Sequence, residues 1–164
     1  MFAGELANRS PKLTSWIIER ARNFVEHERT PMGDNQRLLK ETKMTDPAAI
    51  ANRYIALWNE TDPGRRRALL AEGWTQNAAY VDPLAKGEGH DQISALIGAV
   101  QQRFPGFLFT LAGRADGYAD RLRFSWALGP ASEADMIKGT DFAVIEDGRL
   151  RSVTGFLDKV PAGA

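Results

Sequence analysis

The chain has 164 residues, the size of one folded domain, and its 43% hydrophobic and 26% charged residues are typical of a soluble globular protein. Its 21 Lys and Arg residues balance its 21 Asp and Glu residues, so the net charge gives no general attraction to nucleic acid or to an anionic membrane. The absence of cysteine excludes disulfides, thiol catalysis and thiolate metal sites, and the presence of only His27 and His90 argues against a histidine-rich metal site.

Residues 1–43 differ from the rest of the chain. Apolar side chains recur at helical spacing from Leu13 to Val25, which predicts a helix over about 15–28, and a turn-rich connector follows. We therefore expect a helical extension and linker over 1–43 and a folded domain over 44–164, with Met44 as an alternative start. The N-terminus lacks the apolar core of a secretory signal, and no apolar run approaches the roughly 20 residues that span a bilayer. These features favour a cytoplasmic location.

Three helices are predicted next, with one short strand before the third. Thr45 or Asp46 can cap the first helix, and Pro47 suits its first turn. The apolar spacing then predicts helices over 47–59, 65–73 and 91–104, and a strand over 77–82.

Four strands complete the predicted fold, over 107–115, 118–128, 135–146 and 149–158. Asp116-Gly117 and Asp147-Gly148 are hairpin turn signals, so the strands are expected to form an antiparallel meander. Such a sheet needs one face covered, and the preceding helices can cover it. The prediction is an α+β fold in which a cone-shaped, curved antiparallel sheet wraps around the helices.

Strand alternation assigns two acidic residues to particular faces of their strands. Asp82 ends the first strand, where Pro83 holds it in extended conformation. Asp141 falls within the otherwise apolar face of the third long strand, where an ionised carboxylate needs a partner or a raised pKa. Arg123 is a candidate partner for such a buried acid.

Each of these residues also has a purely structural interpretation. Asp82 before proline can be a turn residue, and Asp141 can be a salt-bridge partner. Tyr54 and Trp58, four residues apart, can be core packing. His90 can cap the third helix, and Arg65-Arg66-Arg67 can be a solvated helix face rather than a nucleic-acid patch.

Residues 45–160 resemble the nuclear transport factor 2-like (NTF2-like) superfamily, also described as SnoaL-like. The segments that carry the resemblance are RYIALW at 53–58, YVDP at 80–83, GHDQI at 89–93, GTDF at 139–142 and DGRL at 147–150. The resemblance implies a curved sheet around an apolar pocket, a small apolar molecule as ligand, and a homodimer. Nucleic-acid and membrane partners are not expected.

Three positions look like those of ketosteroid isomerase. By that resemblance, Asp82 is a base that moves a proton next to a carbonyl, and Tyr54 and a protonated Asp141 donate hydrogen bonds to the developing oxyanion. Neither a metal nor an organic cofactor is implied. The sequence departs from the isomerase pattern at Val81, where the family carries an acid beside its base.

The sequence leaves several functions open. The first is an isomerase or cyclase that acts on an apolar carbonyl compound, and the second is a noncatalytic ligand-binding or dimerisation module. A further alternative is an epoxide hydrolase, for which Asp82, Arg123 and Asp141 supply the residue types of an Asp–Arg–Asp cluster. These alternatives stay open because fold similarity does not transfer function. Seven residues are candidates for binding the substrate: Trp58, Trp74, Tyr80, His90, Phe104, Arg123 and Trp126.

Overall fold

A computed structural model describes residues 46–161 of the protein. The helix predicted over 15–28, its connector and Met44 lie outside the described residues. Within them the fold is α+β as predicted, with helices α1 (Pro47–Asn59), α2 (Pro63–Gly73) and α3 (Gly89–Arg103). The strands are β1 (Trp74–Val81), β2 (Lys86–Glu88), β3 (Leu108–Tyr118), β4 (Arg121–Gly129), β5 (Ile137–Glu146) and β6 (Arg149–Lys159).

Aspartate caps followed by proline begin the first two helices. The Asp46 side chain accepts a hydrogen bond from the Ala48 amide at 3.0 Å, and α1 has the bounds that the sequence predicts. In the same way Asp62 accepts from the Arg65 amide at 2.7 Å, so α2 begins two residues earlier than predicted. No helix within 46–161 is long and apolar enough to cross a membrane.

The six strands form one sheet in the order β2-β1-β6-β5-β4-β3. Strands β3 to β6 are the predicted antiparallel meander. Strand β1, however, pairs in parallel with β6, so the sheet is mixed rather than wholly antiparallel. The alternation of apolar residues identifies a strand and its faces but carries no information about which distant strand lies beside it, which is why this pairing was not predicted.

One predicted turn is confirmed and the other is wrong. Asp147 and Gly148 have φ angles of 51° and 76° between β5 and β6, as an Asp-Gly hairpin turn requires. Asp116 and Gly117 instead continue β3, where Asp116 pairs with Arg123. The chain reverses three residues later, at Ala119, whose φ is 49°.

The predicted inward faces of the long strands are confirmed. Leu122, Phe124, Trp126 and Leu128 of β4 are buried, and so are Gly139, Asp141 and Ala143 of β5. These side chains meet the buried faces of α1 and α3 in one core, so Asp141 lies in the middle of the apolar interior.

Arg66 corrects the prediction that residues 65–67 form a solvated helix face. Arg65 and Arg67 are exposed, but Arg66 is buried. Its guanidinium donates hydrogen bonds to the Ser94 hydroxyl at 3.1 Å, to the Glu60 carbonyl oxygen at 3.0 Å and to Gln101 Oε1 at 3.1 Å. It thereby ties α2 to α3 and to the end of α1.

Candidate functional site

Asp141 is the centre of the candidate site. It is fully buried on β5, and both of its carboxyl oxygens accept hydrogen bonds. The Tyr54 hydroxyl of α1 donates to Oδ2 at 2.5 Å, and the Trp126 indole N–H of β4 donates to Oδ1 at 2.9 Å. The buried acid is therefore held by two neutral donors rather than by a cation.

Arg123 is not the partner of this acid, contrary to the prediction. It lies opposite Phe142 in the β4–β5 pair, whereas Asp141 lies opposite Phe124, so the arginine is on the other face of the sheet. Its exposed guanidinium is 3.4 Å from Asp116. An Asp–Arg–Asp cluster of the kind expected for an epoxide hydrolase is thus not assembled from Asp82, Arg123 and Asp141.

Burial and hydrogen bonding act in opposite directions on Asp141. Burial disfavours the carboxylate and raises the pKa of Asp141 to about 6, although the hydrogen bonds from Tyr54 and Trp126 favour the charged form. Burial, together with the nearby Asp141 charge, raises the pKa of Tyr54 well above its ordinary value. Tyr54 therefore stays protonated as a hydrogen-bond donor, while Asp141 keeps its proton to a higher pH than an exposed aspartate does.

Asp82 lies just after the end of β1 and is half-buried. Its Oδ1 atom accepts hydrogen bonds from the Leu84 and Ala85 amides at 2.7 Å each, so it is the turn residue that one interpretation expected. Its Oδ2 atom accepts a hydrogen bond from the Tyr80 hydroxyl at 2.8 Å. The turn and Tyr80 together fix the orientation of the carboxyl group at the edge of the site.

Gly155 of β6 allows the two acidic side chains to approach each other. It lies directly opposite Asp141, and a Cβ atom at this position would be 3.1 Å from Asp141 Oδ1 and 3.2 Å from Asp82 Cβ. The same point is 3.5 Å from the Tyr80 hydroxyl. Asp82 and Asp141 therefore lie on either side of the space above Gly155. Because they are close, the negative charge of Asp82 contributes to the raised pKa of Asp141.

Gly139 has a comparable role for Trp126. The two residues are paired across β4 and β5, and a Cβ atom at position 139 would lie 2.3 Å from the indole ring. The indole can lie over this glycine because it has no side chain, and from there its N–H reaches Asp141. Neither glycine was predicted as a site residue, although a glycine inside a strand pattern is a signal of close approach.

The predicted aromatic residues occupy different places. Trp58 contacts Tyr80 and Phe109 with ring centroids 5.4 and 5.1 Å apart, and Phe109 contacts Trp126 at 5.2 Å. These rings form the wall beside Asp141. Phe109 was not among the predicted residues because its strand is only partly apolar.

The other predicted binding residues are not part of this wall. Trp74 stacks on the Tyr54 ring at 6.1 Å and lines a separate recess of about 50 Å³. The His90 ring is 2.9 Å from the Thr75 carbonyl oxygen, a contact that joins the start of α3 to β1. Phe104 lies at the end of α3, beside a larger cavity.

This larger cavity has a volume of about 170 Å³ and lies between the ends of α1 and α3 and the start of β3. Its lining includes Trp58, Val100, Phe104, Phe109 and Leu128. Trp58 and Phe109 belong both to this lining and to the aromatic wall. Among residues 46–161 no cluster of three or more His, Asp or Glu side chains is arranged to hold a metal ion.

Comparison with solved structures identifies the family. A candidate isomerase of the SnoaL-like family from Agrobacterium tumefaciens strain C58 is 46% identical, with a TM-score of 0.67 over 70% of this chain and 99% of that chain. The chain belongs to the SnoaL-like family. No family profile and no curated protein sequence matches it.

More distant structures share the fold of this SnoaL-like protein. A candidate ketosteroid isomerase from Kribbella flavida is 21% identical, with a TM-score of 0.53 over 72% of this chain and 82% of that one. A candidate SnoaL-like polyketide cyclase from Jannaschia sp. CCS1 is 14% identical, with a TM-score of 0.52 over 68% and 86%. The predicted NTF2-like fold is confirmed.

Proposed function

We propose that the protein catalyses a cofactor-independent isomerisation or cyclisation by proton transfer next to a carbonyl in a small apolar substrate. The observation that carries the proposal is the buried hydrogen bond between Tyr54 and Asp141. Asp82 lies next to this pair, because Asp82 and Asp141 both border the space above Gly155. A base and two oxyanion donors are the groups that this reaction requires.

Asp82 is suited to the role of base. A base has to be ionised, and Asp82 is half-buried at a strand end, where its carboxylate accepts three hydrogen bonds. These bonds fix the carboxylate toward the site while leaving it less enclosed than Asp141. Asp82 takes the proton from one carbon of the substrate and returns it to another.

Tyr54 and Asp141 stabilise the oxyanion that forms when the proton leaves. Tyr54 is a neutral donor because its pKa is raised. An oxyanion beside Asp141 adds a second negative charge, which favours the protonated carboxyl and turns it from an acceptor into a donor. Formation of the oxyanion is therefore coupled to the uptake of a proton by Asp141. The proposed steps need neither a metal nor an organic cofactor.

The family supports the same class of chemistry. The 46% identical Agrobacterium protein is described as a candidate isomerase, and more distant structures as candidate ketosteroid isomerase and polyketide cyclases. Small-molecule binding follows from that kinship, and the 170 Å³ cavity provides space for it.

The test is turnover of a panel of β,γ-unsaturated ketones and of cyclisable β-keto compounds. Asp82→Asn keeps the shape of the base but cannot accept the proton, so we expect a fall in kcat of about 10²- to 10⁴-fold. Asp116→Asn is the matched control, since Asp116 is an exposed acid that pairs with Arg123. Equal turnover by Asp82→Asn and the wild type would remove Asp82 from the mechanism.

Saturable binding of an apolar ligand without any product, across the whole panel, would support the noncatalytic ligand-binding alternative instead. The homodimer and the cytoplasmic location stay predictions. The mass of the particle in solution tests the first, and fractionation of the natural host tests the second.

A further inference from the structure

The indole N–H of Trp58 is a buried donor without an acceptor among residues 46–161. Trp58 is only 3% exposed, so bulk water does not supply the acceptor. Buried N–H groups are nearly always paired, because an unpaired one loses its hydration without compensation. An unpaired donor next to a candidate active site indicates that a bound molecule supplies the missing acceptor.

Trp58 lies between the hydrogen-bonded pair of Tyr54 and Asp141 and the 170 Å³ cavity. It is one helical turn after Tyr54 on α1, with ring centroids 5.8 Å apart. Its N–H lies near the Tyr54 hydroxyl but does not meet hydrogen-bond geometry with it. Trp58 also lines the cavity together with Phe109. An acceptor atom beside Tyr54 can therefore reach the Trp58 N–H while the rest of its molecule extends into the cavity.

The cavity itself presents little polar chemistry. Asn59 uses both ends of its amide on the Phe109 backbone, at 2.8 Å each. The Gln101 amide donates to the Trp58 and Glu60 carbonyl oxygens and accepts from Arg66. With these amides occupied, the inner lining offers mainly aromatic and aliphatic groups: Val100, Phe104, Phe107, Phe109 and Leu128. The body of a ligand here is therefore apolar.

The volume of the cavity indicates how large the apolar part of the ligand inside it can be. A cavity of about 150 Å³ holds one benzene ring, and sites for drug-sized ligands measure about 300–1,000 Å³. At about 170 Å³, this cavity has room for one six-membered ring.

We infer that Trp58 Nε1 donates a hydrogen bond to the carbonyl oxygen of the substrate, beside Tyr54, and that the cavity holds a single apolar ring of that substrate. This inference rests on the proposed function and specifies its substrate class as monocyclic ketones rather than four-ring steroids. Trp58 is then a third oxyanion donor, in addition to Tyr54 and Asp141.

The first experiment isolates the hydrogen bond. Cyclohexanone and methylenecyclohexane have nearly the same shape, but only the ketone has an acceptor. We expect the indole ¹⁵N–¹H resonance of Trp58 to move much further on titration with the ketone than with the hydrocarbon. Trp58→Phe keeps an aromatic ring and removes the donor, so it should weaken ketone binding about tenfold more than it weakens hydrocarbon binding. An equal loss for both probes would refute the role of the N–H.

The second experiment tests the cavity. Val100→Phe places a ring in the cavity and should weaken both probes at least tenfold, whereas Ala99→Phe adds the same ring at an exposed position of α3 and should not. Circular dichroism and the melting temperature check that both variants fold. Unchanged binding by a folded Val100→Phe, or displacement of cyclohexanone by a four-ring ketosteroid, would overturn the assignment.

These titrations are independent of catalysis, because cyclohexanone has no double bond to move. A protein that binds cyclohexanone as described but isomerises no ketone would refute the proposed function and leave this inference standing. Turnover of the ketone panel with no Trp58-dependent binding would refute this inference alone.

Discussion

Gly155 lies directly opposite Asp141 in the β5–β6 pair, and the missing side chain leaves the space that Asp141 and Asp82 flank. The site therefore depends on having glycine at this position as much as it depends on the two acids. The relationship leads to a test of the whole site that alters none of its polar groups.

Gly155→Ala should lower activity more than it lowers stability. The new Cβ would lie 3.1 Å from Asp141 Oδ1 and 3.2 Å from Asp82 Cβ, closer than ordinary contacts, so one of the two side chains has to shift. Because small misplacements of catalytic groups have large effects, we expect a fall in kcat/KM of about tenfold to 100-fold on the best substrate of the panel. Thr154→Ala changes an exposed neighbour and serves as the control. Full activity in a folded Gly155→Ala would show that the two acids do not act through this space.

Asp141→Asn should change the pH dependence of stability. Below pH 3.8, the ordinary pKa of an aspartate, the Asp141 carboxyl is protonated in both the folded and the unfolded state. Its burial then costs no stability through ionisation. As the pH rises through the folded pKa of about 6, the wild type loses stability that the asparagine variant keeps. The advantage of the variant over the wild type should therefore grow by about 2 kcal/mol between pH 4 and pH 7.

Urea unfolding of the wild type and Asp141→Asn at several pH values measures this difference. The control is Asp116→Asn, since Asp116 is exposed and its removal should give no comparable trend. A constant difference between wild type and Asp141→Asn over this range would contradict the raised pKa of Asp141.

Tyr54→Phe and Trp126→Phe should each raise the pKa of Asp141 above its value in the wild type. Each variant removes a hydrogen bond to the carboxylate, and such bonds to charged groups contribute about 1.5–3 kcal/mol, or one to two pKa units. Titration of the carboxyl ¹³C resonance measures the change. Tyr118→Phe removes an exposed hydroxyl and should leave the titration of Asp141 as it is. A lower pKa in Tyr54→Phe would show that its hydroxyl does not favour the carboxylate.

Arg66→Met should destabilise the fold, and Arg67→Met should not. The first variant keeps the length of the side chain but removes the hydrogen bonds to Ser94, Glu60 and Gln101, so we expect a loss of about 2–4 kcal/mol in the free energy of unfolding. Arg67 is exposed and lies 3.8 Å from Asp91, an arrangement that contributes less than about 0.5 kcal/mol. Denaturant unfolding compares them, and equal stabilities would mean that the Arg66 hydrogen bonds add nothing.

Local patterns in the sequence predict most of the architecture. Capping residues and apolar spacing predict α1 at its observed bounds, and alternation identifies the buried faces of β4 and β5. The inward position of Asp141 followed from that alternation alone, because neighbouring side chains of a strand point to opposite faces. Alternation also places Arg123 outside, and its proposed pairing with the buried acid failed for that reason.

The sequence by itself therefore determined the order of the elements, their buried faces and the acids that those faces carry. Only the tertiary structure decided that β1 lies beside β6, which brings Asp82 to Gly155, and that Trp126 rather than an arginine holds Asp141. The reason is physical: helix caps and side-chain alternation depend on neighbours in the chain, whereas strand pairing and the partners of a buried group depend on how distant segments pack.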